Sequence, residues 1–299
     1  MIGIAELLAK RLPLTPAQFD GLVKQATNRV VALDASWFLN PAAQSGGKTG
    51  YEIYSQERIP GARFFDVDGI KDASSPYPHM LPDVSTFNKA MSKLGVDRDD
   101  ILVVYDTIGN FSAPRAFWML RAFQHESSLL LDNYPLYKKQ GYPIETTPVK
   151  EYPETNYQSP GLNKDMVVSY EQLREIVVDN EKAKSFNIID ARPGGRFAGT
   201  DPEPRPGMKS GHVPGAVSTP FGQVLNPDTK EFLTPQQLKD YFGSKIDPSK
   251  KTIAMCGSGV TACILENALR MSGNDKPVSI YDGSWSEWGQ RADDALVEK

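Results

Sequence analysis

The sequence predicts an α/β protein in two similar halves, each a parallel β-sheet flanked by helices. Three observations predict it. Short apolar or β-branched runs alternate with longer amphipathic stretches, the pattern of βα units on a parallel sheet. The first half is echoed by the second, with a spacing that shrinks from 156 positions (Asp34 to Asp190) to 150 (Asp106 to Cys256), as differing loop lengths would produce. The length of 299 residues suits two domains of roughly 150 residues each.

The elements follow in order from these echoes. "VVALDASWF" (30–38) and "NIIDARPGGRF" (187–197) are apolar runs that end on Asp-Ala, the first strand of each half. "ERIPGARFFDVD" (57–68) is matched by "SGHVPGAVSTPF" (210–221). "ILVVYDTIGNFSAPRAF" (101–117) lies over "KTIAMCGSGVTACIL" (251–265), a strand, a loop and the start of a helix. The amphipathic stretches "RAFWMLRAF" (115–123) and "ACILENALRMSG" (262–273) continue as helices, and "LLLDN" (129–133) lies over "SIYDGS" (279–284). Between the halves, "ETTPVKEYPETNYQSPGLNKD" (145–165) is polar and holds three prolines, which reads as a surface linker. The expected division is 1–148, a linker over 149–164, and 165–299. A single duplication is too short for a solenoid.

Composition narrows the function. A net charge of -4 gives no basic footprint for nucleic acid. Two cysteines, Cys256 and Cys263, cannot build a disulfide framework, which points to a reducing compartment. With His79, His125 and His212 scattered far from them, no metal site is expected. No run of apolar residues is long enough to span a membrane. The start "MIGIAELLAKRLPLTPAQFD" lacks a basic region before an apolar core, so no secretory signal is expected. With Glu6 and a single Arg11 it is also a weak match to a mitochondrial presequence.

The loop Cys256-Gly-Ser-Gly-Val-Thr carries the chemistry. It joins a strand to a helix, and ligands of parallel sheets sit at the carboxyl ends of strands. Glycines let successive N–H groups converge, and those amides with the helix N-terminus form an anion site. A cysteine at a helix N-terminus is favoured as thiolate. The first half is an internal control: Asp106 stands at the nucleophile position and "TIGNFSAPR" follows it, so one half is chemical and the other supporting.

"CGSGVTA", "DARPGGRFAGTDPEPR" (190–205), "GHVPGA" (211–216) and "YDGSWSEW" (281–288), with "SPYPHMLP" (75–82) and "SAPRAFWMLRAFQH" (112–125), together resemble the rhodanese superfamily. The narrower resemblance is to its two-domain 3-mercaptopyruvate sulfurtransferases. It implies tandem rhodanese-like domains, the first lacking the catalytic cysteine, and Cys256 as a nucleophile that becomes a persulfide. Covalent storage of sulfur divides the transfer into two steps. Thiosulfate sulfurtransferases of the superfamily carry Arg and Lys after the nucleophile; here Gly257 and Ser258 stand there, which argues for 3-mercaptopyruvate as the better donor.

The resemblance further assigns Arg196 and Arg205 to the donor's carboxylate and carbonyl, a task suited to the forked guanidinium. Ser258, His79 and Asp68 would form a relay serving the leaving enolate. Gly257, Gly259, Val260 and Thr261 would line the loop. The bland alternative for the arginines is a salt bridge to Asp201 or Glu203. Arg192 is read as structural, His212 as stabilising a turn, His125 as a helix cap, and Cys263, two turns into the helix, as core. Trp285 and Trp288 are expected to pack beside the loop.

The resemblance implies a thiol acceptor such as thioredoxin; no cofactor is expected, and the expected placement is cytoplasmic, with the mitochondrion as a second compartment. One rival is a sulfur-relay protein loaded by a protein donor for tRNA thiolation. Another, a cysteine phosphatase, would need an arginine where Ala262 stands and a loop one residue longer.

Overall fold

The computed structural model describes residues 4–299, so the first three residues of the N-terminal stretch lie outside it. The chain forms two compact units. One gathers the residues up to Asp72, Leu81–Leu162 and Asp228–Glu231; the other gathers Ala73–Met80, Asn163–Pro227 and Phe232–Lys299. Each unit therefore includes a short segment from the opposite half of the sequence.

The first unit holds β1 (Val30–Asp34), β2 (Arg63–Phe64), β3 (Ile101–Tyr105) and β4 (Ser128–Leu130), all parallel, in the order β2-β1-β3-β4. The second holds β5 (Val167–Val168), β6 (Phe186–Asp190), β7 (Ala216–Ser218), β8 (Lys251–Met255) and β9 (Val278–Tyr281), also parallel, in the order β5-β9-β8-β6-β7. The apolar run of β3, and that of β8 from Ile253 onward, are explained by their inner positions. A parallel strand covered on both faces needs apolar side chains on both, and all five residues of β3 are buried.

Helices Ala113–Ala122 and Ala262–Met271 follow β3 and β8. The first was expected to be amphipathic, but all ten of its residues are buried. The charges that suggested a wet face are themselves covered by aromatic rings. The Arg115 guanidinium lies 4.6 Å from the Trp118 ring centre and that of Arg121 4.5 Å from Phe117, a favourable placement of a cation on a π face.

Residues 151–163 carry no helix or strand. They are nonetheless tied to the first unit by aromatic anchors. Tyr157 is fully buried, edge-on to Phe87, and its hydroxyl lies 3.0 Å from Nδ1 of His125. No helix among the described residues is long and apolar enough to cross a membrane.

Candidate active site

Strand β8 delivers Cys256 to the carboxyl end of the second sheet, where it is buried. The chain then turns through Gly257 and Ser258. Gly259 takes a φ of 77°, a left-handed conformation that glycine adopts at little cost. Helix Ala262–Met271 begins directly afterwards, and Thr261 makes no side-chain cap to it.

A second element fixes this loop from outside. At the head of helix Ser284–Arg291, Trp285 N–H donates to the Cys256 carbonyl and Ser286 N–H to the Gly257 carbonyl, each at 2.9 Å. Oγ of Ser284 accepts from Cys256 N–H at 3.1 Å, and Oγ of Ser286 donates to the Gly257 carbonyl at 2.6 Å. Ser284 has a φ of 50°, uncommon for a residue with a side chain. The two tryptophans anchor the clamp: both rings are fully buried, with Nε1 of Trp285 donating to the Lys209 carbonyl and Nε1 of Trp288 to that of Leu296.

His79 belongs to the same unit, because residues 73–80 group with the second sheet. Its Nδ1 lies 3.0 Å from Oγ of Ser258, and both side chains are buried. His79 also has a positive φ, of 60°. A serine two positions after Cys256 thus has an imidazole partner.

The arginines approach from the segment after β6. Arg196 sits on the short helix Gly194–Phe197. A Cβ built on Gly257 would stand 3.2 Å from its Nη2, closer than ordinary van der Waals contact. A side chain on residue 257 would press on the Arg196 guanidinium, which would have to give by a few tenths of an ångström. Arg205 donates from Nη1 to Oγ of Ser286 at 3.3 Å, which links it to the loop clamp.

The first unit shows what this turn does when no cysteine is present. Asp106 follows β3 as Cys256 follows β8. Its carboxylate accepts five backbone N–H groups, from Ile108, Gly109, Phe111, Ser112 and Ala113, at 2.8–3.0 Å. Burial pushes the Asp106 carboxyl above its ordinary range, with those amides working against the shift. In the first unit, the turn after β3 gathers five backbone donors around one carboxyl group.

A Rhodanese-like domain model matches residues 169–291. Over 92% of its length the chain is 42% identical to thiosulfate sulfurtransferase TUM1 of Saccharomyces cerevisiae, covering 93% of that protein. This chain belongs to the rhodanese family. This rhodanese is also 40% identical, over 87% of its length and 85% of the relative's, to 3-mercaptopyruvate sulfurtransferase of Mus musculus. Its fold superposes on the crystal structure of Tum1 from Saccharomyces cerevisiae with a TM-score of 0.90 and 39% identity, over 97% of this chain and 98% of that one. Its relatives are named as sulfur-transferring enzymes.

Within the rhodanese fold the remaining candidates separate. Asp68 lies in the first unit, where Nε1 of Trp37 donates to its Oδ2 at 2.9 Å. Val260 and Thr261 supply the carbonyls that accept from Cys263 and Ile264 as the helix starts. Cys263 is buried but stands second in its helix, not two turns in, and its Sγ donates to the Gly259 carbonyl at 3.3 Å. His125 does not cap with its ring, which bridges the Tyr157 hydroxyl and the Asp100 carbonyl; its backbone N–H closes the helix end on Leu120. His212 stacks on Phe197 and lies 2.9 Å from the Phe197 carbonyl through Nδ1. Arg192 is held by Asp190, Glu203 and the Gly211 carbonyl.

Three residues at this site carry more than the sequence suggests: Ser284, Ser286 and Glu203. The "YDGSWSEW" motif marks the first two only by its tryptophans. Glu203 is visible only as an acid near Arg196.

Proposed function

We propose that this rhodanese moves sulfur from 3-mercaptopyruvate to a thiol acceptor through a persulfide on Cys256, releasing pyruvate. The Cys256 thiolate attacks the donor's sulfur. The sulfur–carbon bond breaks, its electron pair passes into an enolate, and the donor's S–H proton returns to that carbon to give pyruvate. Cys256 is left as an anionic persulfide. In the second step an acceptor thiol takes the outer sulfur and restores the thiolate, two-step logic in which the cysteine stores the group.

One observation carries the choice of donor: the Arg196 guanidinium stands over bare Gly257, next to the nucleophile. A cationic side chain on residue 257 would conflict with it. The site therefore offers forked recognition of one carboxylate, by Arg196 and Arg205, in place of a cluster of cations suited to a dianion. Ser258, held by His79, faces the developing enolate oxygen. The loop amides of Gly257, Gly259, Val260 and Thr261 hold the anionic sulfur, as the Asp106 turn holds its carboxylate. The relatives' names include both donors, and this geometry is what favours 3-mercaptopyruvate.

Thioredoxin or another thiol is the proposed acceptor, in the cytoplasm and also the mitochondrion, with no cofactor, nucleic acid or membrane taking part. Steady-state kinetics with both donors tests the reading. The expected result is a higher kcat/KM for 3-mercaptopyruvate than for thiosulfate, and equal or better use of thiosulfate overturns it. Loading by a protein persulfide donor alone would favour the sulfur-relay alternative.

A further inference from the structure

We propose that Glu203 is a positioning residue that sets the Arg196 fork over the catalytic loop. The proposal rests on the reading of Arg196 as the donor's carboxylate clamp. Glu203 is almost fully buried, at 3% side-chain exposure, and its two oxygens serve different arginines. Oε1 accepts from Nη1 of Arg192 at 2.8 Å, whereas Oε2 accepts from Nε of Arg196 at 3.2 Å and also from its Nη2.

The two arginines differ in what else holds them. Arg192 is fixed without Glu203. It makes three bonds to the Asp190 carboxylate at 2.7–3.1 Å and one to the Gly211 carbonyl at 2.7 Å, and it lies 4.2 Å from the Trp285 ring centre. Arg196 has only Glu203 as an ion-pair partner among the described residues. Asp190, Arg192, Glu203 and Arg196 thus form a chain of alternating charge that starts at the end of β6 and ends over Gly257.

The consequence for binding is geometric. Glu203 takes the Nε–Nη2 edge of Arg196, which leaves N–H groups on Nη1 and Nη2, the edge that can fork onto a carboxylate. Without Glu203, a long side chain regains its rotamers and two guanidiniums lose the anion between them. The second oxygen of Glu203 accepts from Arg196, a contact that the pairing with Arg192 does not require.

A double-mutant cycle on KM for 3-mercaptopyruvate tests this, using the full-length enzyme. Glu203→Gln should raise KM about tenfold or more while kcat stays within about threefold. Arg196→Ala should raise KM at least as much, and adding Glu203→Gln to it should change KM no further, because the two residues act as one unit. An unchanged KM in Glu203→Gln, or effects that simply add, would overturn the proposal. If Arg196→Ala leaves KM unchanged, the carboxylate-clamp reading falls and the proposal with it. If thermal unfolding shows that Glu203→Gln does not fold, Glu203→Asp, too short to reach both arginines, is measured against the same two outcomes.

Discussion

The imidazole Nδ1 of His79 lies 3.0 Å from Oγ of Ser258, across 179 positions of sequence. A hydroxyl held by a buried imidazole can donate to an oxygen on which charge develops, and loss of one such donor costs about a hundredfold in kcat. Ser258→Ala is therefore expected to lower kcat for 3-mercaptopyruvate by about tenfold to a hundredfold, with KM moving only a few-fold. Turnover of thiosulfate, which forms no enolate, should fall much less. Equal losses with both donors would remove Ser258 from the enolate step.

Asp106 gives a second prediction. Its carboxylate accepts five buried amides, and leaving buried donors unpaired is costly. Asp106→Ala should destabilise the protein by about 3 kcal/mol in denaturant unfolding. Folded variant should still load sulfur on Cys256 as fully as wild type. A variant as stable as wild type would show that the turn in the first unit does not depend on an anion.

A third prediction concerns pH. Burial pushes the Asp34 carboxyl up to about 7. The folded state then binds the proton more tightly than the unfolded state, so this contribution is complete below the ordinary carboxylate range and is lost as pH rises toward 7. Burial pulls His125 down to about 4, and its contribution has the opposite sign: present above the ordinary imidazole range, lost as pH falls toward 4. The two oppose one another in wild type between roughly pH 4 and 6.5. Asp34→Asn leaves the histidine unopposed, so its stability relative to wild type should rise with pH across that window, by up to about 1.4 kcal/mol per pH unit. Parallel stability profiles for the two proteins would contradict this.

Much of the fold was legible because parallel inner strands are contiguous apolar runs: β3 and β8 stand where "ILVVY" and "KTIAM" end in Asp106 and Cys256. The Cys256 loop was legible for the same reason, since strand, glycines and helix are consecutive. What was hidden depends on groups far apart in sequence. The grouping of residues 73–80 with the second unit, which sets His79 on Ser258, leaves no local pattern. The full burial of the helix that holds Arg115 and Arg121 was not legible, because a charge signals solvent until an aromatic face is known to lie against it. Glu203 and Arg196 are seven positions apart and suggested an ion pair; that Glu203 also holds Arg192 is a matter of side-chain direction.

The central claim is that sulfur is stored on Cys256, and intact-mass spectrometry tests it most directly. Protein treated with 3-mercaptopyruvate, without acceptor, should gain ~32 Da, one sulfur atom. The gain should map to the peptide holding Cys256, vanish when a thiol is added, and be absent in Cys256→Ser. A Cys256→Ser protein that still gains the sulfur, or a wild type that turns over the donor and never carries it, would contradict the account.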